Sequence, residues 1–328
     1  SGWHIGLIYI GVGIALPAFL MGAKIGINMG LNLTLLATLT AGFILTVAGV
    51  FTGWVGGSLR LSTYYILKQT FGEYGAKGFN IMLGLTVFGW FGVTIGMFAQ
   101  AAAGVFPLAP SLDDEAIWAL IGGILMTFTA FWGFKGLDKL SLTAVPIMVI
   151  ALIWMSYESI SHAGMAHIFN IKGQGNIGFG EAVSMMVGGW MVGVSILPDL
   201  SRYAKSPAHG SLGAFLCFLP GLMAVITLSV IPALAYNQAD FVPLMLLVLP
   251  TWMAGIVIIL AAWSSNDNNL YASSLSLASL ITKTPKWLIT LVAGGCGTGL
   301  GMLGIIDHFV TFFLFLGIFI PPVAGVYV

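Results

Sequence analysis

The sequence predicts an all-α polytopic membrane protein, built as two five-helix halves of opposite orientation in which the first and sixth helices are interrupted. Three observations predict it. Of 328 residues, 59% are hydrophobic and only 7% charged, and the mean hydropathy of +1.02 lies well above the soluble range. Apolar stretches of membrane-spanning length recur about ten times. The polar block from Ala261 to Ser274 lies inside one of those stretches and not between two of them.

The spans fall near residues 5–30, 33–58, 77–106, 116–134, 139–160, 180–203, 211–236, 250–282, 286–304 and 308–327. The links between them alternate in charge. One set carries Arg60, Lys68, Lys77, Lys135, Lys139, Arg202, Lys205, Lys283 and Lys286; the other carries Asp113, Asp114, Glu115, Glu158, Asp240 and Asp307, with Lys172 as its clear basic residue. Basic links stay in the cytoplasm, so the first span runs from inside to outside. A single transmembrane unit over 1–328 is expected, with one repeat over about 5–160 and the other over about 180–327, in a bacterial inner membrane. Lys24, in the outer half of span one, is expected to snorkel to the surface. Between spans two and three, Arg60 to Phe71 mixes polar and aromatic residues, as a short helix at the cytoplasmic interface does. Ser1 in place of an initiator Met, and an end at Val328 that is still apolar, read as trimmed termini. The first apolar run is too long for a cleavable signal peptide.

Two spans carry breaks. In Gly11-Val12-Gly13-Ile14-Ala15-Leu16-Pro17, the proline has no N–H for the carbonyl four residues back, which belongs to Gly13. Free backbone oxygens are therefore expected at Gly13 and Leu16, near the bilayer centre. In span six, Val187-Gly188-Gly189-Trp190 sets two helix-weakening glycines at similar depth. Breaks at corresponding positions of two halves with an odd number of spans mark an inverted repeat whose sites lie where the breaks meet.

Within the block of span eight, helical geometry puts Ala261, Ser264, Ser265 and Asn268 on one face and Asn266 about a quarter turn away. Hydroxyl oxygens suit a small cation, and the Asn266 amide offers a donor and an acceptor to an organic ligand. Asp267 is the one acid deep in a span, open to a proton-relay or a structural role. The rest is plainer. Gly297-Thr298-Gly299-Leu300-Gly301 follows no strand and reads as close helix packing. His4, His162, His167, His209 and His308 form no metal pair at helical spacing and read as surface residues. Cys217 and Cys296 read as free buried thiols. No nucleophile with a base, and no metal cluster, sits at one depth, which argues against a membrane-embedded enzyme. Polar residues gathered in one cluster instead of along a pore argue against a channel.

Trp263-Ser264-Ser265-Asn266-Asp267-Asn268, Gly89-Trp90-Phe91-Gly92-Val93, Pro198-Asp199-Leu200-Ser201-Arg202-Tyr203 and Ile320-Pro321-Pro322-Val323-Ala324-Gly325 together resemble the nucleobase:cation symporter family that contains cytosine permease and the hydantoin transporter. The likeness runs over nearly the whole chain. It implies a leucine-transporter-like bundle of twelve helices, the first ten forming two inverted repeats, so that the last helices of the family are expected to be absent here. It implies symport of a nucleobase-like planar heterocycle (cytosine, purine, hydantoin or related pyrimidine) with Na+ or H+ by alternating access, without an organic cofactor, by a monomer embedded in lipid and binding no nucleic acid. The implied sodium site consists of the carbonyls of Gly13, Leu16 and Ala261 and the hydroxyls of Ser264 and Ser265. The implied substrate site consists of Trp90, Gly189, Trp190 and Asn266. Glutamines that family members place on spans one and three correspond to Pro17 and Val87, so Pro17 lines the implied site and cytosine itself is not implied. Amino-acid transporters share the fold, but paired tryptophans argue against them. On the topology, an impermeant amine reagent should reach Lys139 and Lys286 only from the cytoplasm, and a tag between Leu112 and Ala116 should be seen only from outside; labelling of Lys139 from outside sealed cells would overturn the span count.

Overall fold

The computed structural model describes residues 16–108, 113–131, 134–278, 280 and 283–328. Its long helices are α1 (Leu16–Leu59), α2 (Thr63–Val105), α3 (Asp114–Phe131), α4 (Phe134–Ala163) and, after the short α5 (Met165–Asn170), α6 (Phe179–Ser195). A four-residue α7 (Pro198–Ser201) follows, then α8 (Pro207–Leu216), a π-helical turn Cys217–Gly221 around Pro220, and α9 (Leu222–Tyr236). The chain continues through α10 (Phe241–Val248), α11 (Thr251–Ala278), α12 (Lys286–Met302), a 3-10 turn at Ile305–His308, α13 (Phe309–Phe319) and α14 (Pro321–Tyr327).

At 44 residues, α1 would be about 66 Å long if straight, roughly twice the hydrocarbon thickness, so it has to fold back. It does so at Gly30, whose φ of 74° and ψ of 169° lie in a region essentially reserved for glycine. This joins spans one and two with almost no loop. The fold also deprives the carbonyls of Ile27 and Asn28 of their helical donors at residues 31 and 32. The link before α6 replaces them: the Gln174 N–H donates to Ile27 O (3.0 Å) and the Gly175 N–H to Asn28 O (2.8 Å), as buried carbonyls require. A second glycine turn, Gly72 with φ 72° and ψ −178°, separates the interfacial helix expected near Arg60–Phe71 from span three. The N-terminus of that helix is held by Asp199 of α7, whose Oδ1 accepts the Thr63 N–H at 2.8 Å.

The helices pack into two groups. α1 lies against α6, α8 and α9, while α2 lies against α3, α11 and α12; α4 touches both groups through α9 and α11. Each half of the chain thus gives its first two spans to one group and its next two to the other, as an inverted repeat demands. Four helical segments, Leu16–Leu59, Thr63–Val105, Phe179–Ser201 and Pro207–Tyr236, are long and apolar enough to cross a membrane among the described residues.

Several expectations change. The helix runs unbroken through Gly188 and Gly189, and span six is interrupted instead at Ile196–Leu197. Buried Met185, Met186, Met191 and Val192 hold the helical register across the glycines, whereas Pro198 has no N–H for Val194 O, which accepts from Leu197 N–H at 3.3 Å in a tighter turn instead. Of the break in span one, Gly11 to Ala15 lie outside the described residues; Leu16 and Pro17 open α1 and are buried. Cys296 is exposed, not buried, because it shares with Leu291 and Val292 the side of α12 turned away from its neighbours. Lys24 does not simply snorkel: its Nζ lies 3.7 Å from Asp240 Oδ1. Gly297 and Gly301 do serve close packing, facing Phe91 and Ile95 of α2 so tightly that a Cβ would collide with either.

Gly30 and Gly72 share a backbone conformation but differ in surroundings. A Cβ on Gly30 would sit 2.6 Å from Ile171 O, whereas one on Gly72 meets nothing within 4 Å. Gly72→Ala should therefore lose only the conformational term, about 1–3 kcal/mol, and Gly30→Ala distinctly more, which paired thermal melts in detergent will read.

Candidate functional site

The site is built around α11, which packs on α2, α3, α4 and α12 and only lightly on α1. Apolar residues on both flanks make it a helix that stays in the membrane interior, so its polar groups have to find partners in protein. They do so mainly toward α2 and α3. Asn266 is 0% exposed; its Nδ2 donates to Phe91 O at 3.2 Å and to the Met126 sulfur at 3.4 Å, while its Oδ1 receives the Asn269 amide at 3.5 Å. Asp267, 2% exposed, accepts from Thr129 Oγ1 at 2.7 Å. Thr129 Oγ1 in turn accepts from Trp263 Nε1 at 2.9 Å. Asp267 is thus tied to α3, and the structural role weighed for it has a named partner.

Trp90 stands one residue from the carbonyl that Asn266 holds. It is half-buried on α2, and its ring meets Phe312 of α13 edge-on at 6.3 Å and 78°, a favourable aromatic geometry. Its own carbonyl receives the Thr94 hydroxyl at 2.9 Å. Gly89 allows Phe312 its close approach, since a Cβ there would lie 2.7 Å from the ring. α13 also packs along α6, where Gly189 is buried and Trp190 half-buried. Trp90 and the Gly189–Trp190 turn therefore lie on α2 and α6, helices that touch each other and share α13 as a neighbour.

Of the residues expected to bind a cation, Leu16 and Ala261 are both 0% exposed and Ser265 is half-buried on α11. Gly13 and the Ser264 side chain lie outside the described residues. Pro17 is buried at the start of α1, and Val87 is buried on α2 one turn before Trp90. Among the described residues, no group of three or more His, Cys, Asp or Glu side chains could hold a metal ion. Sequence reasoning missed Thr129, Phe91 O and Phe312. The polar pair Thr127 and Thr129 inside an apolar span was a signal for the first; a carbonyl and a phenylalanine offer none.

Residues 3–328 match the family model described as a permease for cytosine/purines, uracil, thiamine and allantoin. The chain belongs to this permease family. A cytosine permease of Escherichia coli O157:H7 is 30% identical over 311 residues, covering 93% of this chain and 71% of that protein. Among solved structures, the inward-facing conformation of Mhp1 superposes with a TM-score of 0.88 at 18% identity, covering 99% of this chain and 75% of that one. A Na+-coupled sialic acid symporter superposes with a TM-score of 0.69 at 14% identity, covering 100% and 78% of the respective chains. The permease thus has the leucine-transporter-like inverted-repeat fold, and among the described residues span six is interrupted, at Ile196–Leu197. It is a multi-pass membrane transporter and not an enzyme.

Proposed function

We propose that this permease carries a nucleobase-like planar heterocycle together with Na+, by alternating access about a site between α2, α6 and α11. The observation that carries the reading is the junction of Trp90 with the polar turn of α11, where Asn266 grips the backbone beside the tryptophan. A flat ring would lie between Trp90 and Trp190, helped by Gly189, with Pro17 along its edge and Asn266 holding the backbone beside Trp90 through its bond to Phe91 O. The sodium ion would be held by the carbonyls of Gly13, Leu16 and Ala261 and the hydroxyls of Ser264 and Ser265, because Na+ sheds its water only for about five hard oxygens. A relative that binds bromovinylhydantoin in a closed conformation supports a planar heterocycle as the class, and the cytosine permeases support a nucleobase. No organic cofactor takes part. We place the permease in the inner membrane, and as a monomer.

Two measurements test the proposal. Replacing Ser264 and Ser265 together by Ala should raise the sodium concentration for half-maximal uptake while leaving the amount of folded protein unchanged. Uptake in the parent protein that ignores sodium and follows a pH gradient would make a proton the coupling ion instead. For the substrate, a stacked base is worth about 1–3 kcal/mol on removal of its aromatic partner, so Trp90→Ala or Trp190→Ala should weaken binding roughly ten- to a hundredfold, and Phe in either place much less. Binding of a panel of pyrimidines, purines and hydantoins, followed by tryptophan fluorescence, reads this directly; unchanged affinity in both folded variants would assign the rings to packing.

A further inference from the structure

The polar residues of α11 lie on two opposite sides of the helix. Measured from Ala261 at about 100° per residue, Ser264, Ser265 and Asn268 occupy positions within roughly 60° of it, while Asn266, about a quarter turn beyond Ser265, gathers with Trp263, Asp267 and Leu270 on the other side. The second group carries the bonds to neighbouring helices described above. Within it, Trp263 and Asp267 are one helical turn apart and grip the same group from either side, the Thr129 hydroxyl of α3. That hydroxyl accepts from the indole and gives its single proton to the carboxylate, for which Leu125 O at 3.2 Å and Met126 O at 3.1 Å are more distant rivals.

We propose that Trp263, Thr129 and Asp267 are positioning residues, a two-sided clamp that sets the rotation of α11 about its axis and so aims the turn of Ala261, Ser264 and Ser265 at the cation. This rests on the sodium reading given above. Rotation in either direction lengthens one of the two bonds, which sliding apolar contacts alone would not resist. The tolerance is small: a rotation of about 20° moves an atom 5–6 Å from the axis by about 2 Å, comparable to a metal–oxygen bond. Asp267 is buried and Thr129 and Trp263 are half-buried, and at low local dielectric such bonds are strengthened, which keeps the grip directional. None of the three touches the cation in this scheme.

Sodium itself is the probe: the purified permease is melted over a NaCl series with choline chloride as control, and the midpoint of stabilisation is read. Thr129→Val and Asp267→Ala should each raise that midpoint at least fivefold, and together no further than the larger of the two. Thr129→Ser keeps the hydroxyl and Asp267→Asn keeps an oxygen acceptor, so both should stay within twofold of the parent. A Thr129→Val protein that melts lower without sodium but keeps the parent midpoint would overturn the clamp in favour of simple packing. So would Asp267→Asn as damaging as Asp267→Ala, since a titrating carboxylate would then be the group that matters. If Ser264→Ala with Ser265→Ala leaves the midpoint unmoved, the sodium reading fails by itself. The clamp is then decided by Leu270→Cys in a background without Cys217 and Cys296. A labelling rate by a small thiol reagent that rises at least fivefold on adding Thr129→Val supports it, and an unchanged rate overturns it.

Discussion

Backbone and charged groups held at membrane depth have to find their partners inside the protein, and that constraint shapes the structure from the backbone outward. Hydrocarbon offers no replacement for a lost hydrogen bond. Where α1 turns back at Gly30, the abandoned carbonyls of Ile27 and Asn28 are taken by N–H groups from a link about 145 residues later in the chain. Where α11 carries an acid and an asparagine at membrane depth, the partners are a threonine hydroxyl, an indole and a main-chain carbonyl. Such bonds determine which helices are neighbours as much as apolar packing does, because an apolar side chain is nearly indifferent to whether it meets lipid or another helix.

The fold was legible for the same reason. Long apolar runs and alternating charge in the links are signals that the bilayer imposes on sequence, and they carry the helix count and the inverted pairing. The position of a break is written less clearly. Gly188 and Gly189 weaken a helix in isolation, but buried methionines and valines around them outweigh the intrinsic cost of about 1 kcal/mol per glycine. The interruption then falls at Ile196–Leu197, just before Pro198, where the missing N–H turns the bond to Val194 O over to Leu197 and tightens the turn.

The site was legible by residue type and less so by direction. Trp90, Trp190 and the polar turn of α11 stand out in a chain this apolar. That Asn266 spends its amide on the Phe91 carbonyl follows from how α2 lies against α11, and no local pattern reveals it. Phe312 was invisible in sequence because one phenylalanine among twenty-two has no mark of its own; only the packing of α13 brings it to Trp90. Cys296 shows the opposite error, since apolar surroundings in sequence do not separate a helix side that meets protein from one that meets lipid.

The bonds from Gln174 and Gly175 to the outer end of span one have a mechanical meaning. The link that makes them leads directly into α6, so the outer ends of spans one and six are stitched together through main chain alone. Side-chain replacement cannot easily cut that stitch, provided the glycines at 30 and 173 remain small. The outer tips of spans one and six therefore behave as a single lever. A tilt of one tip is coupled to the other for as long as these two main-chain bonds hold.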